Sequence, residues 1–263
     1  MPEQAGEQVI LIDAGNTNTV FGVYRNDELV EHLRLSTDRE RTADEYGALL
    51  LPLFARLGLD LAATDAMMVS SVVPPLNGTM EHLAKDYLHT SAVFIDSSIE
   101  TGMPIRYDNP AEVGADRIVN SVAACEIYGA PVVVVDFGTA TTFDVVNARG
   151  EYVGGVIAPG IGISAEALFS RASRLYRVDV RKPASLVGSN TSNAMQSGIY
   201  YGYIGLVDGI LRRLHDEIPG LRSVVATGGL AQLIAEGSEY VREVNPMLTL
   251  SGLKLIYDRY RAS

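Results

Sequence analysis

Apolar runs broken by small polar residues set the rhythm of this chain. Val9-Ile10-Leu11-Ile12 ends on Asp13, Gly15-Asn16-Thr17-Asn18-Thr19 follows, and Val20-Phe21-Gly22-Val23-Tyr24 turns apolar again. A phosphate loop that opens a helix would be followed by helical periodicity; this pattern instead predicts strand, polar tip, strand. "PVVVVDFGTATTFDVV", Pro131 to Val146, has the same layout 123 positions later, so that Asp13, Gly15 and Thr19 fall on Asp136, Gly138 and Thr142. "RNDE" (25–28) and "NARG" (147–150) both predict hairpin turns, within one residue of that shift. "LVEHLRL" and "EYVGGVI" then supply a third strand each. The shared layout points to an internal duplication.

Helices and strands alternate through the rest. "TADEYGALLLPLFARLGL" opens at a Thr42-x-x-Glu45 capping box and keeps helical spacing. "DAMMVSSVV" reads as a strand stopped by Pro74-Pro75, "NGTMEHLAKDYLHT" as a helix and "SAVFID" as a strand. Asn109-Pro110-x-Glu112 opens a helical region reaching about Tyr128. In the second half "TSNAMQSGIYYGYIGLVDGILRRLHDEI" predicts one long helix, "SVVAT" a strand and "LAQLIAEG" a helix. The expectation is an α/β fold of two duplicated lobes with a central cleft. The turnover falls near residues 115 to 130, giving an N-terminal lobe over 1–117 and a C-terminal lobe over 118–263.

Charge narrows the partners. The 263 residues carry 32 acidic against 21 basic side chains, a formal net charge of −11, and no Lys/Arg cluster stands out. Nucleic acid and acidic membrane surfaces are therefore disfavoured, while small anionic ligands need only a few local donors. No apolar run reaches membrane-spanning length, and "MPEQAGEQ" has no basic leader region. The single Cys125 cannot form an internal disulfide, which fits a reducing cytoplasm, and its apolar neighbours predict a core thiol. The histidines at 32, 82, 89 and 215 show no metal-ligand spacing.

The chemistry sits at the polar tips. Backbone N–H groups with Asn and Thr side chains at one tip can hold phosphate oxygens, and Gly15 and Gly138 let the backbone approach a ligand closely. Asp13 and Asp136 suit Mg²⁺ held through water. Gly228-Gly229 in "VATGGLAQLI" leaves room for a nucleotide against the backbone. In "DNPAEVGADRIVNS", Asp116 and Arg117 place a proton acceptor beside a guanidinium that can grip an anionic acceptor; a surface ion pair on a helix is the ordinary alternative.

Together "DAGNTNTVFGVY", "SSVVPPL", "RYDNPAEVGADRIVN", "DFGTATTFDVV", "GGVIAPG" and "ATGGLA" resemble type III pantothenate kinases, of the acetate-kinase, sugar-kinase and actin superfamily. The resemblance runs from about residue 9 to 235 and is most specific in the pairing of "GADR" with "DFGTATT". It implies two actin-like (ribonuclease H-like) lobes and ATP-dependent phosphorylation of pantothenate, the first step of coenzyme A synthesis. It further implies that Asp13, Ala14, Gly15, Asn16, Thr17, Asn18, Thr19 and Val20 bind the phosphates of MgATP, with Thr139 adding a second ATP contact. Asp116 is implied as proton acceptor. Gly114, Ala115, Asp116, Arg117, Tyr107 and Thr191 are implied to contact pantothenate, and Asp136 to hold a monovalent cation, potassium or ammonium. A superfamily kinase for another small acceptor, or a catalytically silent regulatory relative, are the alternatives.

A homodimer is the last expectation. Gly198, Gly202, Gly205 and Gly209 line one face of the long helix at a cost of about 1 kcal/mol each relative to alanine. Close approach of another backbone would offset that cost, with Tyr200, Tyr201 and Tyr203 flanking the stripe, and the resembled family is dimeric.

Overall fold

The structure, a computed structural model, describes residues 6–96, 99–172 and 175–262. The chain forms β1 (Gln8–Ala14), β2 (Asn18–Arg25), β3 (Glu28–Ser36), α1 (Ala43–Arg56), β4 (Ala66–Ser71), α2 (Asn77–Tyr87), β5 (Ala92–Phe94) and α3 (Ala115–Tyr128). It continues with β6 (Val132–Phe137), β7 (Ala140–Val146), β8 (Tyr152–Pro159), α4 (Ile161–Arg171), α5 (Thr191–Glu217), β9 (Ser223–Thr227), α6 (Ala231–Ala235), β10 (Glu243–Val244) and α7 (Leu248–Ala262). Two five-stranded sheets result, ordered β3-β2-β1-β4-β5 and β10-β9-β6-β7-β8. Each is an antiparallel three-strand meander extended by parallel strands, with β4 and β9 beside the first strand of their meander.

The duplication extends to irregularities. β2 and β3 slip register between Val23 and Tyr24, and β7 and β8 slip between Val145 and Val146. The sequence match needs one adjustment, because the second tip is a residue shorter. Thr19 pairs with Ala14 in the first hairpin, whereas in the second Thr141, not Thr142, pairs with the equivalent Phe137. Thr19 and Thr141 are both fully buried, as are Phe21 and Phe143 two places further on. Beyond each tip, the structural partner of a residue thus lies 122 rather than 123 positions later.

Two compact units form. The first comprises 1–102, 109–119 and 249–263, and the second 103–108 and 120–248. This corrects the expected ranges 1–117 and 118–263 at the C-terminus, since α7 belongs with the first unit. Leu250 on α7 packs where a side chain on Gly22 would stand, and the Tyr24 hydroxyl donates to the Leu250 carbonyl at 3.2 Å. Gly252 lies so close to the Val119 carbonyl that a Cβ there would come within 2.1 Å of it. The core of the first unit packs Ile10, Ile12, Phe21 and Val23 of the sheet against Tyr46, Leu50 and Phe54 of α1 and Met80, Leu83 and Ala84 of α2. That of the second packs Val133, Val135, Phe143 and Val145 against Tyr200, Tyr203, Val207 and Leu211 of α5.

Local signals account for the starts of α1 and α5. Thr42 and Glu45 close the predicted capping box on α1, the Thr42 N–H donating to Glu45 Oε2 at 2.8 Å. The helical region expected from Asn109 is interrupted: Pro110–Glu112 makes a single 3₁₀ turn, and α3 begins only at Ala115. α5 runs 27 residues from an Asn190 cap that accepts from the Asn193 N–H. Cys125 is half-buried rather than a core thiol, because it lies on the α3 turn that meets the β7–β8 loop near Gly150. Among the described residues no helix is long and apolar enough to cross a membrane.

Candidate active site

The first tip gathers Asp13 to Val20. β1 and β2 pair Asp13 with Val20 and Ala14 with Thr19, leaving Gly15, Asn16 and Thr17 as the connection, with Asn16 and Thr17 exposed. The Gly15 N–H donates to the Asn18 carbonyl at 3.0 Å and closes the turn. Two residues that the sequence reading missed hold and flank this tip. Thr37, just after β3, donates its N–H to the Thr17 carbonyl at 2.9 Å and its hydroxyl to the Gly15 carbonyl at 2.6 Å, and that hydroxyl also meets Thr19 Oγ1 at 2.9 Å. Arg39 reaches Asn16 Oδ1 at 3.3 Å and brings a cation to the exposed edge. The signal for both was the polar run "STDRER" directly after the third strand.

The second tip repeats the device. Gly138 N–H donates to the Ala140 carbonyl at 3.1 Å, and Gly160 N–H donates to the Thr139 carbonyl at 3.1 Å, the place that Thr37 takes in the first tip. Gly160 has no alternative there, since a Cβ would lie 2.1 Å from the Thr139 carbonyl oxygen. Asp136 stands at the end of β6, where the Asn120 amide donates to Oδ2 at 3.2 Å. Gly228, at the end of β9, has φ +91°, and a Cβ on it would fall 2.6 Å from Asp136 Oδ1. Gly228 thus keeps the surroundings of the Asp136 carboxylate open, whereas a Cβ on Gly229 would meet nothing within 4 Å. The two glycines do not cap a long helix, as α6 has only five residues.

Gly114 to Arg117 form the start of α3. Asp116 lies in its first turn and its Oδ1 accepts from the Arg117 N–H at 2.8 Å. That oxygen would come within 2.6 Å of a Cβ on Gly114, so the glycine makes room for the carboxylate. Ala115 and Arg117 are buried and Asp116 half-buried, which departs from a surface ion pair.

Tyr107 and Thr191 belong to the second unit, whereas Gly114 to Arg117 belong to the first. Tyr107 is 37% exposed, its ring 6.3 Å from that of Tyr152. Thr191 is exposed at the first turn of α5. Among the described residues no group of three or more His, Cys, Asp or Glu converges on a metal position.

Comparison with known proteins follows the same lines. The family model described as type III pantothenate kinase matches residues 9–213. A type III pantothenate kinase of Pelobacter propionicus is 55% identical over 253 residues, covering 96% of this chain and all of that one. One of Koribacter versatilis is 52% identical over 265 residues and 97% of both chains. The solved structure of MreB 5 of Spiroplasma citri bound to AMPPNP covers 99% of this chain with a TM-score of 0.56 at 11% identity, a likeness of fold alone, and that fold is actin-like. With a matched family model over most of its length and full-length relatives above half identity, this chain belongs to the type III pantothenate kinase family.

Proposed function

We propose that this chain transfers the γ-phosphoryl group of ATP to the primary hydroxyl of pantothenate, the first step of coenzyme A synthesis. The observation that carries it is the start of α3, where "GADR" puts a half-buried carboxylate next to a buried guanidinium, within a chain of this family. Pantothenate is a carboxylate carrying a hydroxyl. Arg117 suits the anionic part, and Asp116 accepts the hydroxyl proton as the oxygen attacks phosphorus and the ADP oxygen leaves. Asp13 to Val20 take the ATP phosphates through the amides and hydroxyls of the tip, and Thr139 adds the second contact. Gly114 to Arg117, Tyr107 and Thr191 take pantothenate.

The oxygen donors fit the cations of this chemistry. Cβ atoms at Gly138 and Gly228 would stand 3.6 and 2.6 Å from Asp136 Oδ1, so the two glycines leave that carboxylate a cradle that side chains would fill. Asp136 would hold potassium or ammonium there, and Asp13 would meet Mg²⁺ through water. Bound cations supply charge neutralisation for the phosphates. The protein works in the cytoplasm, in keeping with its single cysteine, and as a homodimer.

The test is an ATP-coupled assay with pantothenate in potassium, ammonium and sodium buffers. Turnover in the first two and little in sodium is expected. Full activity in sodium alone would remove the cation assignment, turnover only with other acceptors would reassign the substrate, and none with any acceptor would indicate a silent relative.

A further inference from the structure

β7 carries a buried carboxylate that phosphoryl transfer does not use. Asp144 is 0% exposed, and its counterpart in the first sheet is Gly22, so the duplication does not require it. A buried carboxylate stands only with donors around it. Thr142 Oγ1 donates to Oδ2 at 2.8 Å and the Tyr152 hydroxyl donates to Oδ1 at 2.9 Å. Thr142 is the register partner of Asp136. Tyr152 is itself fully buried and leads the other way.

Tyr152 anchors the segment that ends in Tyr107. Its N–H donates to the Pro104 carbonyl at 2.9 Å and its carbonyl accepts from the Arg106 N–H at 2.7 Å, so that Ile105 forms a parallel bridge with it. Arg106 Nε adds a bond to Glu151 Oε1 at 3.0 Å. The Tyr107 ring then leans on the Tyr152 ring at an interplanar angle of 51°. Gly154, with φ +110°, leaves room for the ring edge: a Cβ there would be 3.2 Å from Tyr107 Cε2. Asp144 can fix the Tyr152 ring because both its oxygens are tied and neither residue reaches water.

We propose that Asp144 is a positioning residue for the acceptor: through Tyr152 it sets where the Tyr107 ring stands, and so tunes acceptor affinity rather than the transfer step. The acceptor part rests on Tyr107 contacting pantothenate as proposed above. The chain contains no tryptophan, so Tyr107→Trp provides a single indole whose anisotropy and acrylamide quenching report how firmly position 107 is held. Adding Tyr152→Phe, which keeps the ring and removes only the hydroxyl, should lower the anisotropy and raise the quenching constant at least about two-fold, as should Asp144→Asn. This readout needs no substrate. In the native background, Tyr152→Phe should raise KM for pantothenate roughly 5–30-fold, the equivalent of about 1–2 kcal/mol. The change should fall on that KM rather than on kcat, and Tyr152→Phe should add nothing in a Tyr107→Ala protein. An indole at 107 that neither substitution loosens overturns the proposal. So does a KM shift that persists undiminished in Tyr107→Ala, which is what a merely structural role would give. A loosened indole in a protein that does not phosphorylate pantothenate would support the positioning and remove the acceptor reading alone.

Discussion

In the proposed reaction Asp116 uses one carboxyl group for structure and chemistry. Its Oδ1 accepts the Arg117 N–H and holds the first turn of α3. Asparagine keeps that acceptor but cannot take a proton from the substrate hydroxyl. Asp116→Asn should therefore leave the thermal midpoint nearly unchanged while turnover drops about 10²–10⁴-fold, the usual weight of a general base. Turnover close to the parent's would take Asp116 out of the mechanism. Glu151 makes the complementary case, a carboxylate whose work is structural. Hydrogen bonds from Asn147, Arg149 and Arg106 hold its pKa down to about 2. A carboxyl depressed in the folded state stabilises above its ordinary range, near 4.5, and that contribution fades as pH falls towards 2. Glu151→Gln should thus lower the melting temperature at pH 6 to 7, with the gap to the parent narrowing below about pH 4.5. A gap that stays constant from pH 7 down to the acid limit of folding would show that the charge of Glu151 is not what holds the β7–β8 turn.

At the level of elements, what the sequence discloses is what short-range physics decides. The capping box of α1 needs only Thr42 and Glu45 three residues apart, and both halves form. Removing the cap hydroxyl with Thr42→Ala should cost about 1 kcal/mol, read as roughly 2–4 °C in the unfolding midpoint of the first unit. A midpoint that does not move would mean that α1 is held by Tyr46, Leu50 and Phe54 alone. The paired hairpins were legible because valine runs, glycine breaks and turn residues are local as well. The one-residue shortening of the second tip was not, since only register shows that Thr141 replaces Thr19. The sites of Thr37 and Arg39 depend on the third strand returning to the tip, a pairing that no single segment contains. The start of α3 is intermediate. Pro110 and Glu112 promise a helix, but Gly114 and the leaning Asp116 carboxylate move its true beginning to Ala115. The placement of α7 with the first unit follows from contacts to residues more than two hundred positions away, such as the Tyr24 hydroxyl on Leu250.

At the scale of the whole molecule the open question is what faces the glycine stripe of α5. Tyr200 and Tyr203 do not flank it as expected; they are buried with Val207, Leu211 and Leu214 in the core of their own unit. By helical spacing, Gly198, Gly202, Gly205 and Gly209 lie on the opposite side. A Cβ on any of the first three would meet nothing within 4 Å, so packing inside the unit does not account for them. Of the three tyrosines only Tyr201 remains available, 38% exposed. The same unit also exposes Ile157 at 62% and Val187 at 82%, apolar area beyond that of the stripe. Glycines that weaken a long helix and face outwards are explained by a second backbone coming close, and a second copy of this chain is the partner we propose. Light scattering at micromolar concentration should then give about twice the 28.3 kDa chain mass. Gly202→Leu has room within its own chain, so it should leave the monomer fold intact and shift the mass towards that of a single chain. A parent protein that scatters as a monomer would end the dimer proposal. A Gly202→Leu protein that stays dimeric would keep the dimer and move its interface off α5.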